Sequence, residues 1–274
     1  MPNSLSDVET GTKVMTSFEW AYVSLEPFMF GLYPKVRTTL KRFCKAIGSQ
    51  PELLDVGGRK SHYTSGLPAQ ITISDVPRSS EIQERLYLGI NDAIVSKTKS
   101  RRSNLREVIL DDMTRSQLGD HSYDVICAVE VLEHVEEDDQ FVAEVKRVVK
   151  PSGVFVMTTP NGDFIENTNP DHKRHYTRQS LHSLLSKRFK YVSVNYCVRT
   201  DLGYSFGLKS WSLKHPIRTI ASMAGNFFNL IVERTWPVPD KSQGTAHLFA
   251  VATDDSKMAK LIPHYNQSRT TSAV

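Results

Sequence analysis

Apolar residues recur at three- and four-residue intervals from 18 to 47, through Phe18, Tyr22, Leu25 and then Val36, Leu40, Phe43 and Ile47. That period predicts helix buried along one face, with Pro27 and Pro34 dividing it into pieces. Short apolar runs without clean alternation follow: ELLDVGG (52–58), ITISDVP (71–77), EVILDD (107–112), YDVICAVE (123–130) and VFVMTTP (154–160). Each reads as a strand buried on both faces. Between the last two, residues 138–150 place Phe141, Val142, Val145, Val148 and Val149 on one helical face. Asp138 or Asp139 is available to cap that helix, and PSG (151–153) stops it. A helix over 177–187 and strands over 191–198 and 246–254 complete the pattern. Strands alternating with helices predict a mostly parallel α/β sheet covered on both sides. Residues 201–245 interrupt the alternation. The expected organisation is a flexible stretch over 1–17, one domain over 18–255 with 201–245 as a helical insertion or lid, and a tail over 256–274.

With 274 residues, 39% hydrophobic and 23% charged, the chain has the material for a globular core and is not a disordered polymer. Its net charge of +4 balances 34 basic against 30 acidic residues, too even for a nucleic-acid-binding face. Cys44, Cys127 and Cys197 are odd in number and far apart, so neither a metal knuckle nor a disulfide framework is expected, and a cytoplasmic setting is. The first residues carry acids without an apolar core, unlike a secretory signal, and no apolar run is long enough for a membrane span.

Acids and glycines gather at the carboxyl ends of the expected strands, where open α/β sheets bind ligands. Asp55, Gly57 and Gly58 close the first, Asp75 the second, Asp111 and Asp112 the third, Glu130 the fourth. An acid about twenty residues beyond the first strand is placed to hold a ribose. The series LLDVGG, ISDVP, LDDM, SYDVICAVEVLEHV and VVKPSGVFVMTTPNG resembles the successive motifs of class I S-adenosylmethionine-dependent methyltransferases over roughly residues 50–190. It is most similar to the branch with an E-V-L-E-H segment after strand four, which includes ubiquinone-pathway O-methyltransferases and small-RNA 3′-end methyltransferases.

The resemblance implies a Rossmann-like seven-stranded sheet with one antiparallel strand, 246–254, beside 154–160. It also implies S-adenosyl-L-methionine as cofactor. Asp55, Gly57 and Gly58 would line the methionine moiety, Asp75 the ribose, Asp112 the adenine amino group and Met113 the adenine ring, with Glu130 beside the sulfonium. The loop GGRKSHYTSG departs from the family pattern: Arg59 and Ser61 stand where glycines are usual. The same loop argues against a nicotinamide enzyme, whose pyrophosphate wants a three-glycine cradle.

Candidate reacting groups lie in EVLEH (130–134) and NPDHKRHYT (169–177). In one reading His134 or His172 is a neutral general base. In a second, supported by the resemblance to metal-using branches, Glu130, Glu133, His134 and His172 gather a divalent cation such as magnesium. In a third the E-V-L-E-H run only starts a helix and proximity suffices. Arg174, His175 and Tyr176 read as loop anchors or substrate contacts. The expected function is O-methylation of a small-molecule or glycan-type acceptor, the alternative a non-catalytic cofactor-binding or regulatory protein. Residues 201–245, with Tyr204, Phe206, Trp211, Phe227, Phe228 and Trp236, fit a lid, a dimer surface, a peripheral membrane contact or a core helix. The sequence does not set the oligomeric state.

Overall fold

The structure, a computed structural model, describes residues 15–76, 92–200, 202–207, 211–212 and 214–263. Helix α1 (Ser17–Leu25) opens on a capping box between Thr16 and Glu19. A 3-10 turn over Glu26–Phe28 holds Pro27 and ends α1 as the sequence predicts. Pro34 breaks nothing: it lies in the first turn of α2 (Leu32–Ile47), where a missing N–H leaves no hydrogen bond unmade.

The sheet has seven strands: β1 (Glu52–Val56), β2 (Gln70–Asp75), β3 (Leu105–Leu110), β4 (Tyr123–Val129), β5 (Val149–Pro160), β6 (Tyr191–Arg199) and β7 (Thr245–Thr253). Their order is β3-β2-β1-β4-β5-β7-β6. β7 runs antiparallel to both β5 and β6, while β1 to β5 are parallel, as the resemblance implied. Strand order turns at β1, between β2 and β4. That places the ligand crevice at the carboxyl ends of β1 and β4.

Alternate residues of each strand feed two cores. Leu54, Ile126, Phe155 and Met157 pack with Phe141, Val142, Val145 and Val148 of α4 (Asp138–Val148). Leu53, Val125, Val154 and Val156 pack on the other side with Val36, Leu40 and Phe43 of α2. Burying both faces explains why these strands read as continuous apolar runs.

Several boundaries differ from the sequence reading. β5 begins at Val149, so PSG lies inside a strand, not at its approach. Gly153 suits that path because a Cβ there would come within 2.8 Å of the Asp124 carbonyl. α4 has no side-chain cap; Asp138 and Asp139 lie in its first turn, where carboxylates favour the helix dipole. Helix α3 (Asp92–Arg101) was not foreseen. The helix expected over 177–187 is α5 (Arg178–Ser186), with Thr177 as its cap. Residues 201–245 include α6 (Leu202–Gly207) and α7 (Pro216–Thr235). After β7 the chain continues into α8 (Ser256–Ala259), capped by Asp255, and buries Ile262. Pro77, the expected flexible residues 1–14 and the tail beyond 263 lie outside the described residues.

Candidate active site

Gly57 leaves β1 in the left-handed region at φ +67°, and its N–H donates to the Ser74 carbonyl at 2.8 Å. A Cβ there would meet Val131 Cγ2 at 2.7 Å, so the turn after β1 and the segment after β4 touch through a missing side chain. Gly58 is constrained from below: a Cβ would come within 2.7 Å of both Asp55 carboxylate oxygens. Asp55 is fully buried and supports the loop. Its carboxylate accepts hydrogen bonds from Ser61 Oγ, from Thr64 Oγ1 at 3.0 Å and from Tyr63 OH at 3.1 Å. Burial raises its pKa against Ser61, Arg102 and Thr64, which favour the charged form. Ser61 thus has a role a glycine could not fill, and the expected contact of Asp55 with a methionine moiety would run through the loop it braces.

Asp75 and Asp112 stand at the ends of β2 and β3. Asp75 Oδ1 accepts from Val76 N at 2.9 Å, and Asp75 Oδ2 lies 3.9 Å from Arg59 Nε. The unusual residue of the loop therefore faces the carboxylate expected to hold a ribose. Asp112 is exposed and folds one oxygen back onto Thr114, accepting from its N–H at 2.9 Å and its hydroxyl at 2.8 Å. Met113 is buried in the core, which fixes the backbone between them.

Glu130 ends β4 in a conformation uncommon for a residue with a side chain, φ +55°. Its N–H donates to the Thr158 carbonyl at 3.1 Å, and its Oε1 accepts from Thr158 Oγ1 at 2.9 Å. His247 Nδ1 lies 3.2 Å from Oε2. Burial would raise the carboxyl pKa, but His247, Thr158 and His172 outweigh it and hold Glu130 below its ordinary value.

Leu132–His134 is a single 3-10 turn, not the start of α4. The loop after β5 docks on it through its backbone: Lys173 N donates to the Glu133 carbonyl at 2.7 Å. This brings Glu133, His134 and His172 together, with one ligating atom of each within 4.8 Å of the others. Glu130 is not part of that group. Glu130, the fourth residue of the expected cation set, is instead engaged by Thr158 and His247.

Glu133 is buried, and neither carboxylate oxygen has a hydrogen-bond partner. Thr159 lies beside it without meeting hydrogen-bond geometry, and burial together with Glu130 pushes the Glu133 pKa well up. The imidazoles are oriented by their outer neighbours. His175 Nδ1 faces the Ile165 carbonyl at 2.9 Å, so it carries a hydrogen and its Nε2 accepts. His172 Nδ1 therefore donates to His175 Nε2 at 2.8 Å, leaving His172 Nε2 with a lone pair. His134 Nδ1 donates to the Asp171 carbonyl at 3.3 Å, leaving its Nε2 likewise. Burial lowers the pKa of His134; burial and the neighbouring imidazoles of His134 and His175 lower that of His172. Both rings are neutral bases near neutral pH.

His247, Thr158 and Arg59 were not among the expected site residues. His247 carried a signal, being the one titratable residue inside an otherwise apolar strand. Arg174, named as an anchor, does that work: it pairs with Asp138 at 2.6 Å, to which Tyr176 OH also donates at 2.8 Å.

Residues 86–157 match the family model of the methyltransferase domain. A protein of Mycolicibacterium smegmatis described as a probable S-adenosylmethionine-dependent methyltransferase is 28% identical over 176 residues, 61% of this chain and 63% of that protein. The mitochondrial ubiquinone biosynthesis O-methyltransferase of Dictyostelium discoideum is 37% identical over 117 residues, 41% of this chain and 36% of its own. The chain thus spans less than two thirds of either relative. The crystal structure of an S-adenosylmethionine-dependent methyltransferase from Archaeoglobus fulgidus shares the fold at 14% identity and a TM-score of 0.51, covering 80% of this chain and 93% of that one. In strand order, motif series and these similarities the chain resembles the class I S-adenosylmethionine-dependent methyltransferases.

Proposed function

We propose that the chain transfers the methyl group of S-adenosylmethionine to an oxygen of a small-molecule or glycan-type acceptor. The observation that carries this reading is one edge of the sheet. It holds the Gly57–Gly58 turn, the Asp75 and Asp112 carboxylates and the Glu133–His134–His172 group in sequence. The cofactor supplies a methyl on a cationic sulfur. The Gly57–Gly58 turn would take its methionine part, Asp75 the ribose hydroxyls, Asp112 the adenine amino group and the Met113 backbone the ring edge. The carboxylate of Glu130 sits beside the cationic end.

On the acceptor side, His134 and His172 each keep a lone pair on Nε2, and their rings stand edge to face at 4.7 Å. Either can take the proton of an acceptor hydroxyl as oxygen attacks the methyl carbon in line. A second reading adds a divalent cation, and the donors fit one. Two unpartnered carboxylate oxygens and two imidazole lone pairs converge, with His175 and the Asp171 carbonyl as outer supports. One carboxylate with two imidazoles suits manganese or zinc better than magnesium. Such an ion would supply a lowered pKa to an acceptor hydroxyl.

Cys44, Cys127 and Cys197 are all free and buried, which supports a reducing compartment such as the cytoplasm. The Arg59–Asp75 pair favours one alternative, a cofactor-binding protein without turnover. A screen of phenolic, enolic and sugar hydroxyl acceptors for release of S-adenosylhomocysteine tests the proposal. Release with an oxygen acceptor supports it; cofactor binding without release for any acceptor supports the alternative.

A further inference from the structure

Helix α7 is turned inside out. Its buried residues are Ser222 and Asn226, and among the described residues they tie it to α6 and the turn before α2. Ser222 Oγ donates to the Gly207 carbonyl at 3.2 Å, and Asn226 Nδ2 donates to the Phe28 carbonyl at 3.0 Å. Glu233 turns to the same inner side, where it pairs with Lys35. The opposite face carries Ile217, Ile220, Ala224, Phe228 and Ile231, one row at helical spacing. Ile217 is 83% exposed, Ile220 65%, Phe228 56% and Ile231 47%. Trp236, 65% exposed, follows at the end of the helix. A row of large apolar side chains held outward by polar anchors marks an interaction face and not a mispacked helix.

The charge around this row identifies the partner. From 214 to 237 the sequence carries Lys214, Arg218 and Arg234 against one acid, Glu233, which is turned inward. Lys214, Arg218 and Arg234 are exposed. Apolar row, flanking cations and a terminal tryptophan are the composition of a helix that lies in the headgroup region of an anionic bilayer. α7 would lie on such a surface and not cross it: among the described residues no helix is long and apolar enough to span.

The inner side of α7 leads to the site. Asn226, Asn229, Leu230 and Glu233 line a cavity of about 180 Å³ together with Phe30 and Lys35. The Phe30 ring meets the His247 ring at 5.6 Å, and His247 is the partner of Glu130. We propose that α7 docks the protein on an anionic lipid surface through this outward row, with the cavity beside Phe30 on the opposite side of the helix. This goes beyond methyl transfer itself and would hold for a protein without turnover.

The test is flotation of the full chain with vesicles of phosphatidylcholine alone and with added phosphatidylglycerol, at low and high salt, beside light scattering of the free protein. The expected result is binding that needs phosphatidylglycerol and weakens with salt. Phe228→Asp with Ile231→Asp should lower it about tenfold or more, with the unfolding temperature unchanged because both side chains are exposed. Arg218→Glu with Arg234→Glu should lower it without touching the apolar row. Wild-type protein that stays with the unbound fraction on phosphatidylglycerol vesicles overturns the proposal. So does a dimer that the Phe228→Asp, Ile231→Asp variant converts to monomer, since a second copy would then cover the face.

Discussion

Arg59 Nε lies 3.9 Å from Asp75 Oδ2, and both side chains are largely buried. A cation from the turn after β1 therefore stands on the carboxylate at the end of β2, the acid expected to receive the cofactor ribose. Ribose and guanidinium compete for one oxygen, so the binding-competent form is the fraction in which Arg59 has moved aside. Arg59→Ala should tighten binding of S-adenosylhomocysteine by about threefold to tenfold. Weaker binding in a calorimetric titration would show instead that Arg59 holds the cofactor.

Gly58 leaves no room for a side chain above Asp55. Gly58→Ala would force the carboxylate away from Ser61, Tyr63 and Thr64, which hold it now. Unpairing that buried group should cost about 1–3 kcal/mol, read as a lower midpoint in thermal or urea unfolding. A variant as stable as the parent would mean the Asp55 network is not what shapes the turn.

His175 does not enter the site; it orients His172 by accepting from its Nδ1. His175→Ala should lower kcat by about tenfold or more while the KM for S-adenosylmethionine stays unchanged. The two readings of the reacting group then separate under a chelator. With an ion on Glu133, His134 and His172, activity falls and returns with manganese or zinc, and Glu133→Gln raises the metal requirement. With a simple base, chelation changes nothing and the acidic limb of the pH–rate profile disappears in His134→Ala or His172→Ala. Turnover that survives all three substitutions would leave proximity as the source of rate.

Glu19 ties α1 to the loop after β1 and to the start of β3. Its carboxylate accepts from Gly66 N and Ser103 N at 3.1 Å each and from Ser103 Oγ at 2.7 Å. Burial alone would raise its pKa, but Ser103 and Thr16 outweigh burial and the net shift is downward. A folded pKa below the unfolded value of about 4.3 stabilises the protein at pH above that value. The contribution is lost as pH falls through the lowered folded pKa. Glu19→Gln should lower stability at neutral pH by about 1–3 kcal/mol and flatten the acid side of the stability curve. Parallel curves for variant and parent between neutral and acid pH would contradict this.

The sheet was legible because its strands are buried on both faces and closed by acids and glycines at one edge; β7 beside β5 followed from the family resemblance, since periodicity alone cannot order strands. Helix α3 was not legible, since its run of Lys97, Thr98, Lys99 and Ser100 has no apolar period strong enough to read. Ser61 stands where a glycine is usual, and its hydroxyl donates to Asp55, a partner that the motif pattern does not report. A helical E-V-L-E-H segment would put both acids on one turn. The segment instead leaves β4 at a positive φ and closes as a 3-10 turn, which swings Glu130 toward His247. Local spacing could not report a partner more than a hundred residues away. The same holds for α7, whose period was plain in the sequence while the direction its apolar row faces was not.

Calorimetric titration of the parent and Asp75→Ala with S-adenosylhomocysteine and with NAD decides whether this sheet edge binds S-adenosylmethionine through Asp75. Two charge-assisted hydrogen bonds to a ribose are each worth roughly 1.5–3 kcal/mol. The parent should bind S-adenosylhomocysteine and not NAD, and Asp75→Ala should weaken that binding about tenfold or more while its unfolding temperature stays within a few degrees. Tight binding of NAD with none of S-adenosylhomocysteine, or equal affinity in parent and variant, would contradict it.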